Sequence, residues 1–147
     1  LEEDILLGGE ESGGIAVKGH IPERDGIWMG LIVWEFMAKS GKTLEELIEE
    51  VYAITGPFSY NRWDLHLSES QKQGAMERCA QGLDAIGGRP VQGIETLDGY
   101  KFLLENDGWL LVRASGTEPV VRLYGEAESP KATEALLKDA QAALIPE

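Results

Sequence analysis

Apolar residues dominate one early stretch of the chain. Almost every residue of Ile27–Met37 is apolar, and Ser40 and Gly41 end the run. This pattern predicts a helix that begins at Asp25 or Gly26 and stops at the serine-glycine pair. Because a helix that is apolar on nearly every side must be covered all round, we expect an upstream segment or a partner domain to bury part of it.

A second helix is predicted directly afterwards. Thr43 and Glu46 have the spacing of a capping box, and apolar residues recur at helical spacing from Leu44 to Tyr52. The pattern breaks at residues 55–57, where glycine and proline follow one another. We expect the aromatic-containing link of residues 58–67 to carry a domain boundary, which divides the chain into 1–57 and 58–147.

The remainder predicts one compact α+β unit. A capping-box pattern at Ser68 and Gln71 opens a helix whose apolar stripe runs to Ile86, before two glycines. Apolar runs then predict four strands, followed by a last helix behind Ser129-Pro130; the strands are 91–97, 100–105, 109–113 and 120–127. The order helix, four strands, helix predicts an antiparallel four-stranded sheet with helices on one face.

Composition narrows the class of protein. The 147 residues are 43% hydrophobic and 27% charged, which suits one ordinary domain or a small domain with a piece of another. A net charge of −13 argues against nucleic acid or an anionic membrane as a partner. No signal peptide is visible, and the most apolar stretch is shorter than the roughly 20 residues of a membrane span. A single cysteine, Cys79, excludes an internal disulfide and fits a reducing compartment, so we expect a cytoplasmic protein in which Cys79 packs in the core.

Candidate chemistry is concentrated between the last two predicted strands. Ser115, Gly116 and Thr117 supply two hydroxyls and a backbone that can turn its N–H groups to one side. Arg113 and Arg122 flank this turn, and a guanidinium binds a phosphate through two parallel N–H···O contacts. The residues therefore indicate either a phosphate clamp or a surface turn with two solvated arginines.

A glycine-rich loop near the start of the chain is the second candidate. Four of the seven residues 8–14 are glycine, and Glu10 and Ser12 offer an acceptor and a donor–acceptor for sugar hydroxyls. A metal site built from Asp4, Glu10 and Glu11 is an alternative to ordinary solvated carboxylates.

Both loops resemble motifs of the phosphohexomutase family, which includes phosphoglucomutase and phosphomannomutase. Residues 113–119 with Arg122 look like the family's Arg-Pro/Ala-Ser-Gly-Thr-Glu-Pro loop, which holds the substrate phosphate that is not being transferred. Residues 9–14 are similar to its sugar-recognition loop. The resemblance covers essentially the whole chain. It implies that residues 1–57 are the incomplete C-terminal part of a sugar-binding α/β domain, present here as its helical tail, and that residues 58–147 are an α+β phosphate-binding domain. It also implies substrate contacts from seven residues: Glu10, Ser12, Arg113, Ser115, Gly116, Thr117 and Arg122.

Residues 18–26 resemble the family segment that carries basic residues towards the reacting sugar. His20 and Arg24 are the catalytic candidates that this resemblance implies. Histidine as a residue type can act as an acid or a base near neutral pH, although a lone histidine is often structural. The family often has a lysine near the position of Arg24, and a guanidinium does not readily release a proton, so charge stabilisation is the role we expect for Arg24.

The resemblance also implies what a whole enzyme would do. A phosphoserine passes its phosphoryl group to a hexose phosphate, hexose 1,6-bisphosphate turns over in the site, and Mg²⁺ is bound by an aspartate-rich loop. The sequence contains no Ser-His-Asn-Pro-like and no Asp-x-Asp-x-Asp-Arg-like motif. Together with the opening at Leu1, this leads us to expect a C-terminal fragment whose partners are N-terminal domains of the same protein. Alone, it is expected to be inactive.

Two other functions remain open from the sequence. The chain could be a free-standing phosphosugar-binding module, or a structural domain in which both loops are relics. The substrate could be a glucose, mannose or glucosamine phosphate, and Glu-Glu-Ser-Gly-Gly looks nearer the glucose and mannose members of the family.

Overall fold

The computed structural model describes residues 4–10 and 13–146, which form two compact units. Unit 1 is Leu1–Thr55 and unit 2 is Gly56–Glu147. In unit 1 a small antiparallel hairpin precedes two helices. Its elements are β1 (Leu7–Gly9), β2 (Ile15–Val17), α1 (Gly26–Ser40) and α2 (Leu44–Thr55).

The ends of both helices follow from local hydrogen bonds. The Asp25 carboxylate accepts the Ile27 and Trp28 N–H groups at 3.1 and 3.0 Å and so caps α1. Gly41, with φ +69°, ends this helix in the left-handed conformation that favours glycine. At α2, the Thr43 N–H donates to the Glu46 carboxylate and the Glu46 N–H donates to the Thr43 hydroxyl. The predicted capping box is confirmed.

The apolar side chains of α1 and α2 remain accessible. No residue of either helix is buried, and Trp34 and Ile54 are 72% and 86% exposed. The two helices form an apolar groove lined by Val33, Phe36 and Ile48, among other residues. The expectation that α1 needs further cover stays a prediction.

Unit 2 is an antiparallel sheet with two helices, which confirms the α+β class. The sheet order is β3-β8-β7-β6-β5-β4. The strands and helices are β3 (Ser59–His66), α3 (Glu69–Gln81), β4 (Ala85–Ile86), β5 (Arg89–Glu95), β6 (Tyr100–Leu104), β7 (Trp109–Ala114), β8 (Val120–Ala127) and α4 (Pro130–Leu144).

The sheet has six strands, so the predicted count of four was wrong. The expected link 58–67 instead forms β3, which pairs with β8 along its whole length. In β3, the inward-facing Trp63 and Leu65 alternate with polar residues. This period of two residues is typical of a half-buried strand. The predicted apolar stripe of α3 runs to Ile86, but the helix ends earlier, at Gly82, which has φ +86°. The last residues of that stripe form the short β4 instead.

Both helices of unit 2 pack on one face of the sheet. Phe102, Leu110, Val112 and Leu123 point to this face and are fully buried. They alternate with residues of the opposite, helix-free face, where Arg113 and Arg122 lie. The core therefore holds the sheet rigid beneath the two arginines. The helix residues in this core are Ala75, Cys79, Leu136, Leu137, Ala140 and Leu144.

Cys79 is a core residue of α3, as predicted. Its side chain is 1% exposed, and burial raises the pKa of the thiol to about 12. An unfolded thiol has a pKa near 8.5, so we expect a thiol reagent at pH 8 to label the native chain at least about a thousandfold more slowly than the chain in concentrated urea. Absorbance with an aromatic disulfide reagent measures both rates. Comparable rates would contradict the buried placement.

Candidate functional site in two units

Strands β7 and β8 are joined by the Ser-Gly-Thr turn. The Ser115 N–H donates to the Val120 carbonyl at 2.9 Å, which closes the turn. The Ser115 hydroxyl accepts the Glu118 N–H at 3.2 Å and the more distant Thr117 N–H at 3.5 Å. Ser115 is only 8% exposed, and its hydroxyl forms these hydrogen bonds on the inner side of the turn. Gly116 and Thr117 are exposed to solvent. The outer surface of the turn is backbone and the Thr117 side chain.

A lysine that the sequence analysis did not identify contacts this turn from behind. Lys72 of α3 donates from Nζ to the Ser115 carbonyl at 2.8 Å and to the Glu118 carbonyl at 3.3 Å. The Leu67 N–H, just before α3, donates to the Pro119 carbonyl at 3.0 Å. The N-terminal end of α3 is therefore attached to the turn.

Arg113 and Arg122 are direct cross-strand partners on β7 and β8. Like charges in this position repel each other, so the pair requires nearby negative charge. The side chains are 46% and 29% exposed, so both are partly accessible to solvent. A bound anion between them would relieve the repulsion, so the geometry suits phosphate.

Three carboxylates lie next to this arginine pair, and one of them, Asp64, is also paired with Arg62 at 3.0 Å. Asp98 Oδ1 lies 3.2 Å from Arg113 Nε, and Glu118 Oε2 lies 3.3 Å from Arg122 Nη2. Asp64 Oδ2 is 3.7 Å from Arg122 Nε, which is buried and has no hydrogen-bond partner among the described residues. A phosphate at this position would compete with these carboxylates for the guanidinium groups.

In unit 1 the sugar-loop candidate is the turn of the β1–β2 hairpin. The Glu10 N–H donates to the Gly14 carbonyl at 2.9 Å, and the Gly13 N–H donates to the Glu10 carbonyl at 3.0 Å. Ser12, the second residue predicted to contact the sugar, lies outside the described residues, as does Glu11.

Arg24 lies against this turn. Its guanidinium forms an ion pair with Glu10, and its Nε is 3.2 Å from Glu23 Oε1. Hydrogen bonds to Glu10 and then to Glu23 raise the pKa of Arg24. A guanidinium held in this way stays charged, and charge stabilisation by Arg24 stays a prediction. Gly14 permits the approach, since a Cβ there would lie 2.7 Å from Arg24 Cδ.

His20 is positioned by the start of α1. Its Nε2 lies 2.9 Å from Asp25 Oδ2, and its ring stacks on Trp28 with 4.7 Å between ring centroids. Hydrogen bonds with the Trp28 N–H, which is the larger cause, and with the His20 ring lower the pKa of the Asp25 carboxyl group. The ring of His20 is thus oriented by the helix cap. These contacts are compatible with a structural role and with a positioned acid or base.

The described part of the chain presents no group of three or more histidine, cysteine, aspartate or glutamate residues arranged to hold a metal ion. Asp4 forms an ion pair with Lys18, and Glu10 with Arg24. Both described carboxylates of the candidate trio are thus paired with cations, and the third, Glu11, lies outside the described residues. No helix of residues 4–10 and 13–146 has the length and apolar character of a membrane span.

The fold defines a class, an α+β unit that carries an arginine pair on the sheet face opposite its two helices. The particular family follows from comparison with family models. Residues 1–54 match the model described as phosphoglucomutase/phosphomannomutase, alpha/beta/alpha domain III. Residues 67–143 match the model of the C-terminal domain of the same proteins. The chain belongs to the phosphoglucomutase/phosphomannomutase family.

Individual relatives agree with this assignment. A phosphoglucomutase/phosphomannomutase of Thermococcus kodakarensis is 37% identical over 88% of this chain and 26% of its own length. A phosphoglucosamine mutase of Methanococcus maripaludis is 37% identical over 90% of this chain and 28% of its own length. A crystal structure of a family protein from Burkholderia thailandensis has a TM-score of 0.65 at 24% identity, covering 96% of this chain and 29% of that one. The chain therefore spans less than a third of the length of the relatives it matches.

Proposed function

We propose that this chain is the sugar- and phosphate-binding C-terminal part of a cytoplasmic phosphohexomutase that interconverts hexose 1-phosphate and hexose 6-phosphate. The observation that carries the proposal is the cross-strand pair Arg113 and Arg122 beside the Ser-Gly-Thr turn, in a chain of this family. In the proposed enzyme, unit 2 binds the phosphate that is not being transferred. Phosphoryl transfer depends on positioning and charge stabilisation, so a unit devoted to that phosphate is mechanistically useful.

The carboxylates around the arginine pair suit a reversible interaction. A hexose 1,6-bisphosphate intermediate must be released by this site, turned and bound again through its other phosphate. Asp98 and Glu118 are within 3.2–3.3 Å of the two guanidinium groups and can replace the phosphate when it leaves. The free site then does not carry two unpaired cations during the turn.

In unit 1, Glu10 is the proposed acceptor for a sugar hydroxyl, with Ser12 as its neighbour. Because Glu10 forms an ion pair with Arg24, its charge is already balanced. A balanced carboxylate accepts a neutral hydroxyl readily but attracts an ammonium group weakly, so we favour glucose and mannose phosphates. Glucosamine phosphate is the second candidate, because several relatives at 36–37% identity are phosphoglucosamine mutases.

The remaining chemistry is assigned to domains beyond this sequence. We place the phosphoserine and the Mg²⁺ ion there, since the sequence lacks both motifs. The metal would supply charge neutralisation during transfer. The chain alone should then bind sugar phosphates without turning them over.

A chimera tests this proposal. We expect this chain, substituted for the matching region of the Thermococcus kodakarensis relative, to restore conversion of glucose 1-phosphate to glucose 6-phosphate in a dehydrogenase-coupled assay. The isolated chain should show no turnover. An inactive but folded chimera would contradict the enzyme assignment and favour a stand-alone phosphosugar-binding module. Turnover by the isolated chain would contradict the division of roles.

A further inference from the structure

Lys72 is unusual because its charged side chain is largely buried and its ammonium group contacts backbone carbonyls rather than solvent. Its side chain is 16% exposed, and its ammonium group donates to the carbonyls of Ser115 and Glu118. The Glu69 carboxylate is also nearby, with its Oε2 3.9 Å from Lys72 Nζ. Lysine is rarely covered without a structural reason, since ordering its long side chain costs entropy.

The two carbonyls that Lys72 binds lie at either end of the Ser-Gly-Thr turn. One ammonium group therefore links residues 115 and 118 and limits how far the turn can open. Gly116 and Thr117 lie between these two residues and are exposed to solvent, where a ligand would approach. Because Thr117 N–H to Ser115 Oγ is 3.5 Å, that contact is weak and the N–H can still bind an anion.

α3 positions Lys72 with little freedom. The Ser68–Gln71 capping box fixes the first turn of the helix, and Cys79 and Ala75 anchor the same helix in the core. The lysine therefore extends from a rigid helix onto the turn. A flexible turn held in this way is preorganised, which reduces the entropy lost on binding.

We propose that Lys72 is a positioning residue that holds the Ser115–Glu118 turn in the conformation that binds phosphate, without contacting the phosphate itself. This inference rests on the proposed function of that turn. It adds α3 to the site, as the element that sets the geometry of the turn between the paired strands β7 and β8.

The test compares Lys72→Met with Lys131→Met, which removes the same charge from an exposed position in the first turn of α4. We expect Lys72→Met to weaken the binding of inorganic phosphate by about tenfold, in amide-shift titrations, while Lys131→Met changes it less than about twofold. In the ligand-free protein, ¹⁵N relaxation should show greater mobility at Gly116 and Thr117 in Lys72→Met alone.

A chemical rescue keeps the test independent of folding defects. Lys72→Cys, alkylated with 2-bromoethylamine, regains an ammonium group at nearly the original distance, and the buried Cys79 should react far more slowly. We expect the alkylated variant to recover most of the affinity and the ordered turn.

Three outcomes would overturn the proposal. Wild-type affinity in Lys72→Met would show that the contact is dispensable. Weaker binding with an ordered ligand-free turn would show that Lys72 contacts phosphate directly. A wild-type chain that is folded but shows no response to phosphate would contradict the proposed function of the turn and, with it, this inference.

Discussion

Replacement of Arg113 by alanine is expected to weaken the binding of glucose 1-phosphate and inorganic phosphate by about 10- to 100-fold. A charge-assisted hydrogen bond contributes about 1.5–3 kcal/mol, and each 1.4 kcal/mol is a factor of ten in affinity. Arg122→Ala should act in the same direction, and the double variant should show no measurable binding. Isothermal titration of the 147-residue chain measures these affinities.

Arg89→Ala is the matched control, because it removes the same charge. Arg89 forms a two-point ion pair with Glu128 at 3.0 Å, away from the Ser-Gly-Thr turn. It should leave phosphate affinity within about twofold of the wild type, since exposed charges are largely screened beyond about 10 Å. Asp98→Asn should raise the affinity, because Arg113 would lose its competing carboxylate. Equal losses in Arg89→Ala and Arg113→Ala would contradict a specific clamp.

The second large effect is expected from Gly99→Ala. Gly99 has φ +90°, and a Cβ there would lie 2.5 Å from the Val112 carbonyl oxygen. The left-handed backbone costs about 1–2 kcal/mol for a residue with a side chain, and forcing an atom into a packed site costs about 1–3 kcal/mol more. We therefore expect the free energy of unfolding of unit 2 to fall by about 2–5 kcal/mol in urea denaturation.

Gly88→Ala separates the two contributions to that loss. Gly88 also has a positive φ, +77°, but no atom lies within 4 Å of the position that a Cβ would take there. This variant should lose only the backbone part, about 1–2 kcal/mol. Gly99→Ala should also weaken phosphate binding, because its Cβ would displace the backbone at Arg113. Equal losses of stability in the two variants would contradict the close approach at Gly99.

Local patterns predicted local features well. The caps at Asp25, Thr43 and Ser68 depend on residues within three positions of one another, so spacing alone identified them. The strand β3 was missed because its alternation is weak: of its eight residues, only Trp63 and Leu65 clearly belong to the core. Its stability comes from pairing with β8, about 60 residues away, which no local pattern reveals.

The residues of the candidate site fall into the same two groups: those that a local pattern identifies and those that only the tertiary fold brings together. Arg113 and Arg122 were identified because they flank a recognisable turn. Lys72 lies 43 residues from Ser115, in a helix whose pattern gives no reason to single it out. The carboxylates of Asp64 and Asp98 also reach the arginines through sheet pairing and a distant turn. Contacts of this kind depend on the tertiary fold, and so they were not predictable from spacing.

The most direct measurement is an amide-shift titration of the ¹⁵N-labelled chain with glucose 1-phosphate, with unphosphorylated glucose as the control ligand. The account predicts saturable shifts centred on Gly116 and Thr117, which glucose does not produce and which Arg113→Ala abolishes. Further shifts at Glu10 and Gly13 would support the sugar-binding role of unit 1. A folded chain with no shift at this turn in millimolar glucose 1-phosphate would contradict the central claim that this turn and its arginines bind the phosphate.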